Sequence, residues 1–313
     1  MKSKIYLILF ALFAFSCSSD SSSDDYNNGG NNNNGGNNNN GGNNNFGNSL
    51  LVSEIITTSQ GYTTTDTFFY NDGDGLDENK LTSATSEYNF DNGQSTLNNT
   101  SNFIYTNNRI ARVDTYEGSS NDMVRQVEFD YDSQGRLTSI QRCYYYDNGT
   151  CYDQTLYSFS YSNNNNTISE TYESYYENQL ESSGTTVWQL DNNGNFSSAA
   201  DQFLYDDDGD GVPESSDDTN ITFQHDNFNN PFSGIAGASA RVIFQLYNTE
   251  YSHVLSWGAF NNITGANISY PQYPEDDYTV SVAYDYNDDG YPRQAIISDS
   301  DYDFDSVVTI NYY

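Results

Sequence analysis

One short phrase recurs along this chain: an aromatic residue, any residue, a second aromatic, then in most copies an acid or amide opening a polar cluster. It appears at Phe68–Tyr70, Tyr88–Phe90, Phe103–Tyr105, Phe129–Tyr131, Tyr144–Tyr146, Phe159–Tyr161, Phe203–Tyr205, Phe223–His225 and Tyr284–Tyr286. Side chains two residues apart share one face of a strand, so each unit predicts the end of a β-strand with an aromatic face, handing over to a turn. The second aromatics fall at 131, 146, 161, 176 and 205, with Leu190 in the series, a step of fifteen with one of fourteen. A strand of about ten residues plus a turn of about five fills that step. Strands joined by such short turns pair antiparallel with their chain neighbours. The sequence therefore predicts an all-β chain, an antiparallel meander that curls into a barrel or a strongly bent sheet.

Turn chemistry agrees at the joints. The stretches 132–136 (DSQGR), 147–150 (DNGT), 162–167 (SNNNNT), 191–195 (DNNGN) and 287–290 (NDDG) place Asn, Asp and Gly where positive φ is needed. Alternation is regular in Val127-Phe129-Tyr131, Tyr157-Phe159-Tyr161 and Val280-Val282-Tyr284-Tyr286. Leu137 and Ile140 have opposite parity, which predicts a bulge after the turn at 132–136. Composition matters here as a warning: Leu, Ile, Val and Phe make up less than a fifth of the 313 residues, a level typical of disordered chains. The aromatics must then supply the core, with tyrosine hydroxyls expected to reach water at the strand ends.

The N-terminus reads differently. Lys2 and Lys4 precede an apolar run from Ile5 to Phe15, too short to span a bilayer, and Ala14-Phe15-Ser16-Cys17 closes it. This pattern predicts a signal peptide over residues 1–17. It resembles the lipobox of bacterial lipoproteins, which implies lipidation of Cys17. Residues 18–49, rich in Asn, Gly and Ser, cannot bury apolar surface and are expected to be a disordered tether. Residues 50–313 form the β-meander domain. Asp20, Asp24 and Asp25 resemble in composition the acidic signals that carry Bacteroidetes lipoproteins to the cell exterior. Beyond Lys2 and Lys4 the chain has 8 basic and 44 acidic residues, a net charge of −36. Such a field repels phosphate backbones and anionic headgroups, so no nucleic acid is expected as a partner, and cations or cationic surfaces are favoured. The bland alternative is solubility alone.

The segment from Tyr131 to Leu137, YDSQGRL, resembles the YD repeats of large secreted bacterial shells. With Cys17, Asn230-Pro231-Phe232 and Asp289-Gly290-Tyr291-Pro292, it also resembles a group of Bacteroidetes surface lipoproteins of unknown function described as soluble, porin-like β-barrels. That likeness spans residues 50–313 and implies a barrel, with no catalytic residue carried over. Residues 230–248 depart from the pattern, and a short helix or crossover is expected there before a strand through Val242-Phe244-Leu246. A membrane-spanning barrel would share the alternation, but Thr309 and Asn311 behind the terminal Tyr313 stand where an apolar face would be needed.

Few residues offer chemistry. Asp206, Asp208 and Asp210 fall at positions one, three and five of an EF-hand-like calcium loop, followed by Gly211 at the bend, Val212 at seven, Glu214 at nine and Asp217 at twelve. The other reading is an acidic turn. A degenerate copy at 70–80 retains Asp72, Asp74 and Glu78. Cys143 and Cys151 are expected to pair in an exported protein, opposed directly by an odd loop centred on Asp147 or offset by a turn at Asn148-Gly149. His225 sits in an aromatic slot, which predicts a core position, and His253 has no obvious partner. With so little histidine, the expected function is non-enzymatic: an outer-membrane, lipid-anchored protein facing the cell exterior, with a structural or binding role and calcium as candidate cofactor. The alternatives are a two-carboxylate enzyme acting on surface polysaccharide and a carrier of a hydrophobic ligand.

Overall fold

The computed structural model describes residues 50–59, 61–72, 78–90, 97–118, 122–206, 212, 215–232, 261–300 and 305–313. These form sixteen antiparallel strands in a closed barrel. In order they are β1 (Val52–Ser59), β2 (Tyr62–Asp72), β3 (Glu78–Phe90), β4 (Leu97–Thr106), β5 (Arg109–Glu117), β6 (Met123–Tyr131), β7 (Leu137–Tyr145) and β8 (Cys151–Ser162). They continue with β9 (Thr167–Tyr176), β10 (Gln179–Leu190), β11 (Phe196–Tyr205), β12 (Ser215–His225), β13 (Ile263–Ser269), β14 (Tyr278–Tyr286), β15 (Pro292–Asp299) and β16 (Asp305–Tyr312). Each strand pairs with its chain neighbours, and β1 closes the ring on β16 with Ile55 opposite Ile310. The meander is thus a full barrel, and closure removes every unpaired edge.

The recurring phrase ends strands as expected, on β2, β3, β4, β6, β7, β8, β11, β12 and β14. At the turns, one carboxylate or amide organises the backbone. Asp132 Oδ1 accepts the N–H groups of Gln134 and Arg136, both at 2.9 Å. Asp191 does the same for Asn193 and Asn195, and Asn287 for Asp289 and Tyr291. Gly135, Gly194 and Gly290 supply φ values of 81°, 80° and 78°, where a Cβ would strain the turn. After each of these three turns the ladder skips one residue. Asp130 pairs with Ser139 and Tyr131 with Leu137, leaving Thr138 as the extra residue of the expected bulge.

That bulge explains the second aromatic at Tyr105, Tyr131 and Tyr161, and the strand-end tyrosines Tyr284 and Tyr312. It displaces the carbonyl just before the skipped residue, and a tyrosine from the following strand donates its hydroxyl to it. Tyr105 bonds Leu81 O at 2.9 Å, Tyr131 bonds Ile110 O at 2.8 Å and Tyr161 bonds Leu137 O at 2.9 Å. Tyr284 bonds Ile263 O at 2.9 Å and Tyr312 bonds Pro292 O at 2.7 Å. The skipped residues are Thr82, Ala111, Thr138, Thr264 and Arg293. The residue before the acceptor covers the same ring: Lys80 lies 5.3 Å above Tyr105, Arg109 5.7 Å above Tyr131 and Arg136 4.7 Å above Tyr161. Just before β15 that position is Tyr291, whose ring meets Tyr312 edge-on at 5.7 Å. The G-R-L and G-Y-P stretches are therefore one device, a cation or ring followed by an acceptor carbonyl. These tyrosine hydroxyls do not turn to water as expected, because bulging leaves a buried carbonyl that would otherwise lack a donor.

One face of every strand is buried and packs into a single cluster that includes Phe68, Leu81, Ile110, Leu137, Trp188 and Phe196. This is the inward face. Phe68 on β2 meets Phe232, beyond β12, ring to ring at 5.8 Å, a contact past five intervening strands that can only be made inside the barrel. Asn230, Pro231 and Phe232 are all buried, so this turn enters the lumen; the helix or crossover expected beyond it, and the strand at 242–246, lie outside the described residues. The outward positions carry instead Glu128, Asp130, Gln141, Ser158, Thr171, Glu173, Thr185, Gln202, Asn220, Thr222, Ser281 and Asp285. Leu51 and Tyr313 lie at one end of the barrel, where Tyr313 N–H bonds Leu51 O at 2.9 Å. The opposite end is the distal end.

Candidate functional site at the distal end

The distal end of β7 and β8 is held by a disulfide. Cys143 and Cys151 are joined with Cα atoms 5.8 Å apart. The turn between them runs from Tyr146, whose N–H bonds Thr150 O at 3.0 Å, to Gly149 at φ 77°. A bulge pairs Tyr144 with Asp153 and Tyr145 with Cys151, so the cysteines are offset and Tyr152 is the extra residue. Tyr152 stacks on Tyr146 with centroids 4.3 Å apart and meets Tyr176 edge-on at 6.2 Å. The Tyr146 hydroxyl donates to Glu177 Oε1 at 2.9 Å. Tyr146 and Tyr176 remain 40% and 41% exposed, unlike the aromatics of the inner wall.

Acids crowd this end. Burial holds the Asp153 and Glu181 carboxyls above their usual range; Arg142 opposes it for Asp153, and the charges of Asp153 and Asp206 add to it for Glu181. Asp217 is raised by burial and by Asp218. Of the predicted calcium ligands, Asp206 follows β11 and donates its N–H to Glu181 O at 3.0 Å, and Val212 is exposed. Asp217 lies within β12, opposite Phe203. Asp208, Asp210 and Glu214 lie outside the described residues, as does the lipidation residue Cys17. The segment connects two strands, where an EF-hand loop connects two helices. In the degenerate copy, Asp72 on β2 pairs with Glu78 on β3 at the opposite end of the barrel, and Asp74 lies outside the described residues.

Below the rim the inner wall carries layers. Tyr157, Tyr172 and Phe203 form the first, with Tyr157 to Tyr172 at 6.0 Å and Tyr172 to Phe203 at 6.3 Å. Tyr172 reaches Phe203 across β10 because Gly184 stands between them; a Cβ there would lie 2.4 Å from the Tyr172 ring. Beneath them Glu170, Thr186, Asp201 and Thr219 are consecutive partners on β9 to β12. Glu170 is 1% exposed; its Oε2 accepts the Trp188 indole N–H at 3.2 Å, and its Oε1 has no partner among the described residues. Burial, reinforced by the Asp201 charge, lifts the Glu170 carboxyl well above its usual range. Asp201 accepts the Thr186 hydroxyl at 2.6 Å and is pushed up to about 6, by burial first and by Asp218 second. On β7 the buried Arg142 donates to Thr155 Oγ1 at 2.8 Å and lies over Tyr144.

The sequence reading missed Glu170, Asp201 and Arg142. A signal existed: Ile168-Glu170-Tyr172 puts an acid in phase with inward residues. Acids are so common in this chain that one more does not stand out. His225 does occupy a strand-end aromatic slot, and burial lowers its pKa, keeping it neutral.

No family model matches the chain, and no curated protein is similar to it. Solved structures are. A porin-like protein from Bacteroides vulgatus ATCC 8482 is 12% identical, with a TM-score of 0.53 over 84% of this chain and 99% of that one. A porin-like protein from Bacteroides uniformis ATCC 8492 is 15% identical, with a TM-score of 0.44 over 84% of this chain and 96% of that one. At these identities the likeness is one of fold.

Proposed function

We propose that this chain is a lipid-tethered barrel of the outer membrane that stands in water at the cell exterior and has a structural or binding role without enzymatic activity. One observation carries the reading: the barrel's two faces are the reverse of those of a spanning porin. A lipid-facing wall needs an outward apolar band about 25 Å tall, and here the outward positions are mostly hydroxyls, amides and acids, with Phe69, Val187 and Ile296 as scattered apolar exceptions. The inward residues Phe68, Leu81, Ile110, Leu137 and Trp188 are 0–1% exposed, so water does not line the wall there as it would in an open channel. A barrel of this kind must be anchored by something else, which the Cys17 motif supplies. The porin-like neighbours support an outer-membrane setting, and their likeness is in fold only. Against an enzyme, Glu170 and Asp201 sit beneath the aromatic layer of the inner wall, and among the described residues no exposed groove of Tyr and Trp lies beside them. The close burial of these inward residues also disfavours a carrier of a hydrophobic ligand.

The test is flotation with outer-membrane vesicles. The full chain is expected to float, Cys17→Ala to remain in the aqueous fraction, and residues 18–313 to stay monodisperse without detergent. Retention of Cys17→Ala in the membrane, or conductance across a planar bilayer, would overturn the reading. Shaving of intact cells with protease tests the outward orientation.

Calcium stabilisation through Asp206, Asp208, Asp210, Val212, Glu214 and Asp217 is a further part of this proposal, supported by ligand spacing and by the crowding of acids at this end. Adding calcium to residues 18–313 is expected to raise the melting temperature, and Asp208→Ala with Asp210→Ala to abolish the rise. An identical melt in calcium and in chelator would return the segment to a turn.

A further inference from the structure

We infer that the distal rim around the Cys143–Cys151 hairpin binds guanidinium- or ammonium-bearing side chains of a partner polypeptide, which lie on the Tyr146 and Tyr176 rings beside Glu177. The inference rests on the tethered reading above, in that Leu51, near the start of the described residues and next to the proposed tether, and Tyr313 lie at the opposite end, so this rim points away from the anchor.

The first argument is preorganisation. Tyr146 is stacked on Tyr152, its hydroxyl is fixed by Glu177, and the turn that carries it is closed by the disulfide. Tyr152 in turn is braced by the Tyr176 edge. A ligand meeting these rings need not order them, which removes a large part of the usual cost of binding. The second is polarity. The Tyr146 hydroxyl already donates its proton to Glu177, so the exposed platform offers electron-rich ring faces and carboxylate oxygens. Both attract cations. A neutral polyol could stack and hydrogen-bond the carboxylates, whereas a guanidinium does both and also gains from their net charge.

The third argument comes from how the molecule treats its other tyrosines. Lys80, Arg109 and Arg136 cap Tyr105, Tyr131 and Tyr161, and Arg142 lies over Tyr144, a close neighbour of the rim. Among the described residues no Lys or Arg lies over Tyr146, Tyr152 or Tyr176. The rim has the ring and the acid but lacks the cation that the chain provides elsewhere, and a net charge of −36 beyond Lys2 and Lys4 draws such a group toward it.

The experiment is calorimetric titration of residues 18–313, exported so that the disulfide forms, with a short Arg-Gly repeat peptide at low and at high salt. Salt-sensitive binding is expected, and Tyr146→Ala with Tyr176→Ala should weaken it about 5- to 30-fold. Tyr146→Phe should retain most of the affinity, and Tyr273→Ala, on another distal loop, should leave it unchanged. Equal affinity of the double variant and the wild type would reduce the effect to a general acidic field and overturn the proposal. So would salt-independent binding of a neutral oligosaccharide that is lost in the same double variant. Melting curves of each variant report whether the barrel is intact. The titration does not involve Cys17, so its failure and the failure of membrane anchoring are separate results.

Discussion

Trp188→Ala is expected to destabilise the barrel by about 3–5 kcal/mol, the range for removing a fully buried large aromatic. Trp188 is 1% exposed and packs on Phe196 at 5.2 Å and Phe223 at 6.5 Å. Its indole is also the donor to Glu170 Oε2. Truncation therefore opens a cavity and strips a buried carboxyl of its partner at once. Trp188→Phe separates the two effects, since it keeps most of the packing and removes the N–H; a loss of about 1–3 kcal/mol is expected from the orphaned acceptor. Urea denaturation followed by circular dichroism measures both. Equal stability of Trp188→Phe and the wild type would mean that the indole bond to Glu170 contributes nothing.

The second large effect has the opposite sign: Asp201→Asn is expected to stabilise the protein at neutral pH. The carboxyl is raised from 3.8 to about 6 on folding. A raised acid favours the folded state while protonated, so its contribution is fully present below the unfolded value and is lost as pH climbs through the folded one. Between about pH 4 and pH 6 the wild type should lose up to about 3 kcal/mol from this group, and the asparagine variant should not. The amide oxygen can still accept the Thr186 hydroxyl, so the hydrogen bond survives the change. Glu170 acts in the same direction, with a window that opens at 4.5 and extends upward. Melting temperatures of the wild type and Asp201→Asn should coincide near pH 3 and diverge above pH 6. Parallel curves across that range would show that Asp201 ionises inside the barrel as freely as in the unfolded chain.

Much of the fold was legible because its information is local. The step of fifteen residues set the strand length, and Asp, Asn and Gly marked the turns. Opposite parity at Leu137 and Ile140 located a bulge that the register places at Thr138. Tyr131, Tyr161 and Tyr284 could be assigned to strand ends. Their hydroxyl partners could not, because Ile110, Leu137 and Ile263 are acceptors only through bulges on a neighbouring strand.

The candidate site was less legible for a related reason. The Cys143–Cys151 pair and the acids of 206–217 stand out as clusters in the chain, so spacing alone picked them out. Tyr146, Tyr152, Tyr176 and Glu177 come from a turn, a bulge, a strand end and the next turn, and meet only when β8 pairs with β9. Glu170 and Asp201 are 31 residues apart and are joined through Thr186 on the strand between them.

What the sequence determined by itself was an all-β meander with aromatic strand ends, since side-chain alternation and turn residues act within one strand and its loop. Tertiary structure alone decided that sixteen strands close on themselves and that the apolar face turns inward. A period of two says only that two faces differ. Which of them meets water is decided when the ring closes, because closure gives the faces unequal surroundings and apolar side chains take the side that excludes solvent.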